Sequence, residues 1–303
     1  MSFIVDVTRS KKLSTSLQPL EKLKKTHVLS DKEELVYRRM YSLTSVAMSA
    51  HTHTNMLKET LTELVERYPY LRKTKGQVIY AKTQTHNTLF DQDWMGPLLA
   101  ECGLDDWTAF SLSMNHCASG LSALHLINTL HSHGDERPFI VLCGEKSFPP
   151  FNKMSVGVLG EMATACLIDP YEGSWRITTS KTQHLSEFYQ APESMSVQNK
   201  RKMMGEFYPA LIDFLTEQGT DSSDIILSYN LNLPLLYRLT KDLGWQEKLY
   251  KENVSVYGHT FCSDVFLNLI SASENHNFNK ATLFAAGMGV TFSAVNIERN
   301  DIH

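Results

Sequence analysis

Apolar positions along this chain follow two alternating rhythms, helical spacing of about 3.6 residues and short unbroken runs. In 55–67, Leu57, Leu61, Leu64 and Val65 fall on one helical face. The same spacing returns in 121–129, where Leu121, Leu124 and Ile127 align, and in 202–218, 233–243 and 265–271. Between these lie segments of strand character: 77–82, 108–114, 139–144, 162–168, 225–227, 254–257, 281–286 and 291–297. Phe139-Ile140-Val141-Leu142-Cys143 is apolar throughout, the pattern of a strand covered on both faces. Gly244 is the expected C-cap of 233–243, and Gly258 closes 254–257. Strands alternating with helices predict an α/β fold of stacked layers. The polar stretch 178–200 reads as a surface excursion tethered by Leu185, Phe188 and Tyr189.

The two halves repeat one order: helix, strand, small-residue turn, helix, paired strands. No linker of low complexity separates them. Two packed halves are therefore expected, 1–170 and 171–303, sharing a large interface. The 303 residues are 42% hydrophobic and 20% charged, enough for a large core. A net charge of −4 supplies no basic field for nucleic acid. Cysteines stand singly at 102, 117, 143, 166 and 262, without a CxxC pair. That pattern fits free thiols in a reducing cytoplasm. Neither a leader pattern nor a membrane-length apolar run occurs, so a cytoplasmic protein without a membrane partner is expected.

Cys117 is singled out by its setting. In Ser113-Met114-Asn115-His116-Cys117-Ala118-Ser119-Gly120-Leu121 a strand runs into a small-residue turn, and a helix begins at the cysteine. Backbone dipoles there favour thiolate over thiol, and a thiolate can carry an acyl group. Taken alone, the segment reads more simply as a small apolar side chain packed between strand and helix. His51, His53, His86, His125, His131 and His133 lack the spacing of a metal site, so neither metal nor cofactor is expected.

Five segments in order, across roughly 75–297, change that balance. Asn115-His116-Cys117-Ala118-Ser119-Gly120 resembles the nucleophile turn of the thiolase-fold condensing enzymes, most closely the ketoacyl-acyl-carrier-protein synthase III group. Leu159-Gly160-Glu161-Met162-Ala163-Thr164-Ala165 is similar to its FGDGAGA segment, and Ser228-Tyr229-Asn230-Leu231-Asn232 falls at its PHQAN stretch. Val256-Tyr257-Gly258-His259-Thr260 resembles its YGNT motif, and Ala285-Ala286-Gly287-Met288-Gly289-Val290-Thr291-Phe292 its C-terminal glycine loop. The resemblance implies a thiolase-like fold: two pseudo-repeat halves stacked as αβαβα layers. It also implies an active site between the halves and a homodimer.

In that family the cysteine takes an acyl group from a thioester, and a histidine and an asparagine support decarboxylation of a malonyl thioester. Here the cysteine is Cys117, but Tyr229 stands at the histidine position and His259 at the asparagine position. A phenol with an ordinary pKa of about 10 is a poor base near neutrality; an imidazole serves well. His259 is thus the expected base, within reach of Cys117. Asp264 reads first as a helix-start carboxylate capping backbone or facing solvent, with orientation of His259 as its other role. Asn230 is a supporting candidate, and Asn232 is expected to fix local backbone. By resemblance, the N–H groups of Cys117 and Met288 form an oxyanion hole, while Thr85, His86 and Phe261 line the substrate tunnel. Cys262 reads as a small buried filler.

The expected function is thioester-dependent acyl transfer through an acyl-Cys117 intermediate to an oxygen, nitrogen or sulfur nucleophile, in specialised-metabolite or fatty-acid-related biosynthesis. The alternatives are a decarboxylative ketoacyl synthase and a non-catalytic partner of an active synthase. The donor is a phosphopantetheine thioester of acyl carrier protein or coenzyme A, and the acceptor a small molecule. Ser30-Asp31-Lys32-Glu33-Glu34 lacks the family tryptophan that stacks on adenine, which favours the carrier protein.

Overall fold

The structure, a computed structural model, describes residues 1–11, 14–24, 29–83, 93–147, 152–188, 195–287 and 290–300. Its main sheet contains β1 (Phe3–Arg9), β2 (Gln77–Ala81), β3 (Thr108–Leu112), β4 (Phe139–Gly144) and β5 (Ala163–Asp169), then β6 (Trp175–His184), β7 (Ile225–Ser228), β8 (Leu249–Tyr250), β9 (Lys280–Gly287) and β10 (Thr291–Arg299). Their spatial order is β8-β7-β9-β10-β6-β1-β5-β4-β2-β3. The first five and the last five share one plan. In the first set β2 runs parallel to β3 and β4, while β5 is antiparallel to β4 and β1. In the second, β7 runs parallel to β8 and β9, while β10 is antiparallel to β9 and β6. Strands of the two sets pair at Phe3↔Arg176 and Ile4↔Trp175, and Ile177 N donates to Ser2 O at 2.9 Å beside them.

Helices fill the same slots in each set. After a four-residue helix at Leu20–Leu23 come α1 (Asp31–Met40), α2 (His53–Arg67), α3 (Met95–Glu101), α4 (Ser119–Ser132), α5 (Val197–Glu217), α6 (Leu233–Asp242), α7 (Val254–Tyr257) and α8 (Asp264–Asn275). Helices α4 and α8 each touch strands of both sets and form the middle layer. Helices α2 and α3 cover the outer face of the first set, burying Val78, Ile140, Leu142 and Leu167. Ile79, Val141, Cys143 and Cys166, which alternate with those residues, face the central core with α4 and α8. This two-sided cover explains the unbroken apolar run of β4. The layering is that of the thiolase fold.

Several elements differ from the pattern-based expectation. Residues 254–257 form the short helix α7 rather than a strand, ended by Gly258 at φ +68°. Among the described residues they pair in no β-ladder; Ser255 O accepts from Thr44 N at 2.8 Å and Val256 O from Ser45 Oγ at 2.8 Å, and β preference yields to such context. The polar stretch from 178 begins inside β6, paired along its length with β10. Its polar side chains are satisfied by the covering helix and the neighbouring strand: Ser180 Oγ meets His125 Nδ1 of α4 at 3.0 Å, and Thr182 Oγ1 meets Ser293 Oγ of β10 at 2.9 Å. Phe188 is buried as expected of a tether; Tyr189 lies outside the described residues. Helix α5 starts five residues earlier than the apolar spacing suggests, capped by Ser196 Oγ on Asn199 N at 3.1 Å. Ser30 and Glu33 form a capping box at α1.

Candidate active site

After β3 the chain makes a tight turn into α4. His116 N donates to Ser113 O at 2.8 Å, and Ala118 N to Asn115 O at 3.1 Å. His116 takes φ +49°, a left-handed conformation that L residues enter at a cost. The turn packs directly on β9. A Cβ at Gly287 would lie 2.1 Å from Asn115 O, so only glycine admits this approach. Cys117, 7% exposed, follows His116 and sits at the head of α4, where the helix dipole favours negative charge.

The second half brings a histidine to this thiol. Residues 158–160 hold the His259 backbone: His259 N donates to Val158 O at 3.0 Å and Gly160 N to His259 O at 2.8 Å. His259 Nε2 lies 3.1 Å from Cys117 Sγ. His259 Nδ1 lies 2.5 Å from Asp264 Oδ2, and both side chains are 1% exposed. Asp264 faces inward rather than solvent. Its Oδ2 also accepts from Asn230 N at 2.6 Å, and its Oδ1 accepts from Thr260 N at 2.7 Å and Thr260 Oγ1 at 2.6 Å. A buried carboxylate so surrounded is fully satisfied and held in one orientation. Burial works against the imidazolium, but the Asp264 carboxylate and the Cys117 sulfur outweigh it and hold the His259 pKa well above the usual histidine range.

The remaining sequence candidates separate by place. Tyr229 is buried at the end of β7, its ring edge-on to Phe284 at 6.0 Å. Burial and the nearby Cys117 push its pKa upward, so it stays a neutral donor. Its hydroxyl makes no hydrogen bond among the described residues. Asn230 binds Asp264 through its backbone, and its side-chain oxygen accepts from Asn268 Nδ2 at 2.9 Å, while its own Nδ2 has no partner among the described residues. Asn232, at φ +56°, starts α6. Phe261, at φ +59° and buried, inclines its ring against His259 at 5.8 Å. Thr85, His86 and Met288 lie outside the described residues, so the expected tunnel and the second oxyanion donor rest on the resemblance alone.

Two supporting residues escaped the sequence reading. Thr260 gives Asp264 two hydrogen bonds, and Asn268 braces the Asn230 loop through Ser228 O at 2.6 Å. A buried amide within the apolar face of Val265-Phe266-Leu267-Asn268-Leu269 was the available signal for Asn268.

A thiol, an imidazole and a carboxylate stand here in one hydrogen-bonded series, an arrangement chemically able to support a sulfur nucleophile. No protein-family model matches the chain, and no curated protein matches it. Solved structures do. ChlB3, an acyltransferase, is 15% identical with a TM-score of 0.80, over 98% of this chain and 97% of its own. The 3-oxoacyl-[acyl-carrier-protein] synthase III of Aquifex aeolicus VF5 is 16% identical with a TM-score of 0.77, over 98% and 100%. OleA of Xanthomonas campestris is 12% identical with a TM-score of 0.77, over 98% and 96%. The chain therefore has the thiolase fold of the condensing enzymes, and its structural neighbours are synthase III proteins and related condensing and acyl-transfer enzymes. Identities this low establish the fold; the chemistry has to be argued from the side chains.

Proposed function

We propose that this protein is a thioester-dependent acyltransferase whose covalent intermediate is acyl-Cys117. The observation that carries the reading is the Cys117–His259–Asp264 series, with contacts of 3.1 and 2.5 Å, together with a phenol where condensing enzymes keep an imidazole. The Cys117 proton passes to His259 Nε2 before the donor binds, giving a thiolate–imidazolium pair that Asp264 favours, and the thiolate attacks the carbonyl of an acyl phosphopantetheine thioester. The Cys117 N–H, at the head of α4, faces the developing oxyanion; the Met288 N–H is its expected companion. The tetrahedral intermediate collapses, the carrier thiol leaves with the proton from His259, and acyl-Cys117 remains. His259 then deprotonates an incoming alcohol, amine or thiol, which attacks the acyl group and restores the free Cys117 thiol. Asp264 stabilises the imidazolium formed in each proton transfer.

Tyr229 supports this reading over carbon–carbon condensation. In the condensing enzymes a neutral imidazole and a carboxamide serve the malonyl-derived enolate; here a phenol stands at the imidazole position, and the imidazole at the carboxamide position is engaged by Asp264 and Cys117. Tyr229 remains a hydrogen-bond donor for bound substrate but supplies no base. The donor is a carrier-protein or coenzyme A thioester, the acceptor a small molecule, and the working unit a homodimer.

The test is intact mass after incubation with acyl carrier proteins and acyl-coenzyme A of several chain lengths, followed by added nucleophiles. The reading expects an acyl adduct that is absent in Cys117→Ala and discharged by an alcohol, amine or thiol. Carbon dioxide release from a malonyl thioester would favour condensation instead. No Cys117-dependent adduct with any donor would favour a non-catalytic partner subunit.

A further inference from the structure

We propose that Cys262 is a positioning residue for the reactive thiol: its S–H donates to His116 O and locks the left-handed turn that aims Cys117 at His259. Cys262 Sγ lies 3.3 Å from His116 O, across the boundary between the two halves. Thr83 Oγ1 lies 3.5 Å from the same sulfur. The His116 ring is tied to the Thr83 backbone, so sulfur, turn and the end of β2 form a closed clasp. Around it there is little slack. A Cβ at Gly120, in the first turn of α4, would sit 3.2 Å from Cys262 O.

The clasp explains how an unfavourable conformation persists at a functional site. Four non-glycine residues have positive φ among the described residues, and three of them, His116, Asn232 and Phe261, flank the reactive series. Strain of that kind survives only where surroundings over-determine it. His116 O already accepts from Ser119 N at the start of α4; the Cys262 thiol is its second donor. Burial, with Cys143, Glu145 and Cys117 facing it, pushes the Cys262 pKa well upward. The group therefore stays a thiol, as a donor must, and takes no part as a second nucleophile.

The inference rests on Cys117 and His259 as the reactive pair but not on the acyl acceptor. The test accordingly reads Cys117 directly. Alkylation by iodoacetamide is followed at the Cys117 peptide by mass spectrometry, from pH 5 to 10, in wild type, Cys262→Ser and Cys262→Ala. Ser keeps the donor; Ala removes it, and both lose the bulk of the sulfur. Loss of the donor is expected to slow Cys117 alkylation at neutral pH by about 10-fold, less than the roughly 100-fold expected of a full 1 Å misplacement. Its pH dependence should move toward that of an unassisted thiol. Cys262→Ser should stay near wild type. Equal slowing in both variants, or loss of folding in both, would assign Cys262 to packing and overturn the proposal. An unchanged Cys262→Ala would overturn it as well. Absence of any acyl adduct in wild type, with these alkylation differences intact, would count against acyl transfer and leave the clasp standing.

Discussion

The turns that open α4 and α8 are the same backbone written twice. Asn115 and Thr260 have φ/ψ of −89°/7° and −96°/34°, and the next residues, His116 and Phe261, have φ of +49° and +59°. Ala118 N to Asn115 O and Ser263 N to Thr260 O are both 3.1 Å. Each turn then presents a cysteine, Cys117 in one and Cys262 in the other. The chemistry diverges through the neighbours. Cys117 meets an imidazole; Cys262 meets a carbonyl and a hydroxyl. Two positions past each cysteine, α4 begins with Ser119, bonded to Ser113 O, and α8 begins with Asp264, bonded to His259. One half thus supplies the thiol and the other the imidazole and carboxylate. The same turn geometry is used twice, and among the described residues only Cys117 has an imidazole beside its sulfur.

The sharpest test of that asymmetry removes each cysteine in turn. Cys117→Ala is expected to abolish acyl transfer, about a 10^6-fold loss as for other covalent nucleophiles. Cys262→Ala, by contrast, should keep measurable turnover. Comparable losses from the two, measured as acyl-adduct formation by intact mass, would break the distinction between the turns. Removal of the base comes next: His259→Ala should slow transfer by about 100- to 10,000-fold at neutral pH, the usual range for a positioned acid–base group. Its remaining rate should rise with pH as the thiol ionises unaided.

This pairing was partly legible in the amino-acid pattern. The alternation of helical and strand segments predicted the layers, because a strand buried on both faces must be apolar throughout, as Phe139–Gly144 is. Strand β6 was hidden for the opposite reason. Its serines and threonines are satisfied by α4 and β10, so a core-facing segment looks like a surface one. The first strand, Phe3–Arg9, and the two-residue β8 carry too short or too mixed a pattern to stand out. At the site, residue type and motif order singled out Cys117 and His259. The inward turn of Asp264 was not readable, since a helix-start carboxylate more often caps backbone at the surface. Nor were His116 and Phe261, because left-handed φ in a non-glycine residue is imposed by tertiary contacts. The chemical contrast between Cys117 and Cys262 belongs to that second class: it depends on which polar atoms fold against each sulfur.

Asp264→Asn probes the second half of the comparison at smaller cost. The carboxylate holds the His259 pKa well above its ordinary value, while burial alone would lower it. With the charge removed, the imidazole should lose its proton more easily. The alkaline limb of any step that needs imidazolium, such as protonation of the leaving thiol, then moves to lower pH. The rate near neutrality should fall by about 100-fold. Stability follows with a definite sign. A group whose folded pKa is raised stabilises the fold fully below its unfolded pKa, near 6.5 for histidine, and loses that contribution as pH rises through the folded value. Wild type should therefore exceed Asp264→Asn most in melting temperature on the acid side, with the gap narrowing as pH rises. A gap that widened with pH would mean that His259 is neutral in the folded protein.

The smallest expected effect lies in Thr260, which holds Asp264 from the side away from His259. Thr260→Val keeps the backbone N–H on Asp264 Oδ1 at 2.7 Å and removes the hydroxyl at 2.6 Å. Valine preserves shape and β-branching, so the change isolates one hydrogen bond to a charged group, and the loss in urea denaturation should be about 1.5 kcal/mol. The matching change in the other turn is Ser119→Ala, which removes a hydroxyl bonded to the neutral Ser113 O at 3.0 Å. A neutral partner should cost less, about 1 kcal/mol. Transfer should decline less in Thr260→Val than in Asp264→Asn, because Asn230 N and Thr260 N still hold the carboxylate on the imidazole. If Ser119→Ala proved the more costly of the two, the turn carrying the nucleophile would depend on its helix-start side chain more than the turn carrying the base, and the contrast between the halves would have to be drawn from the α4 side.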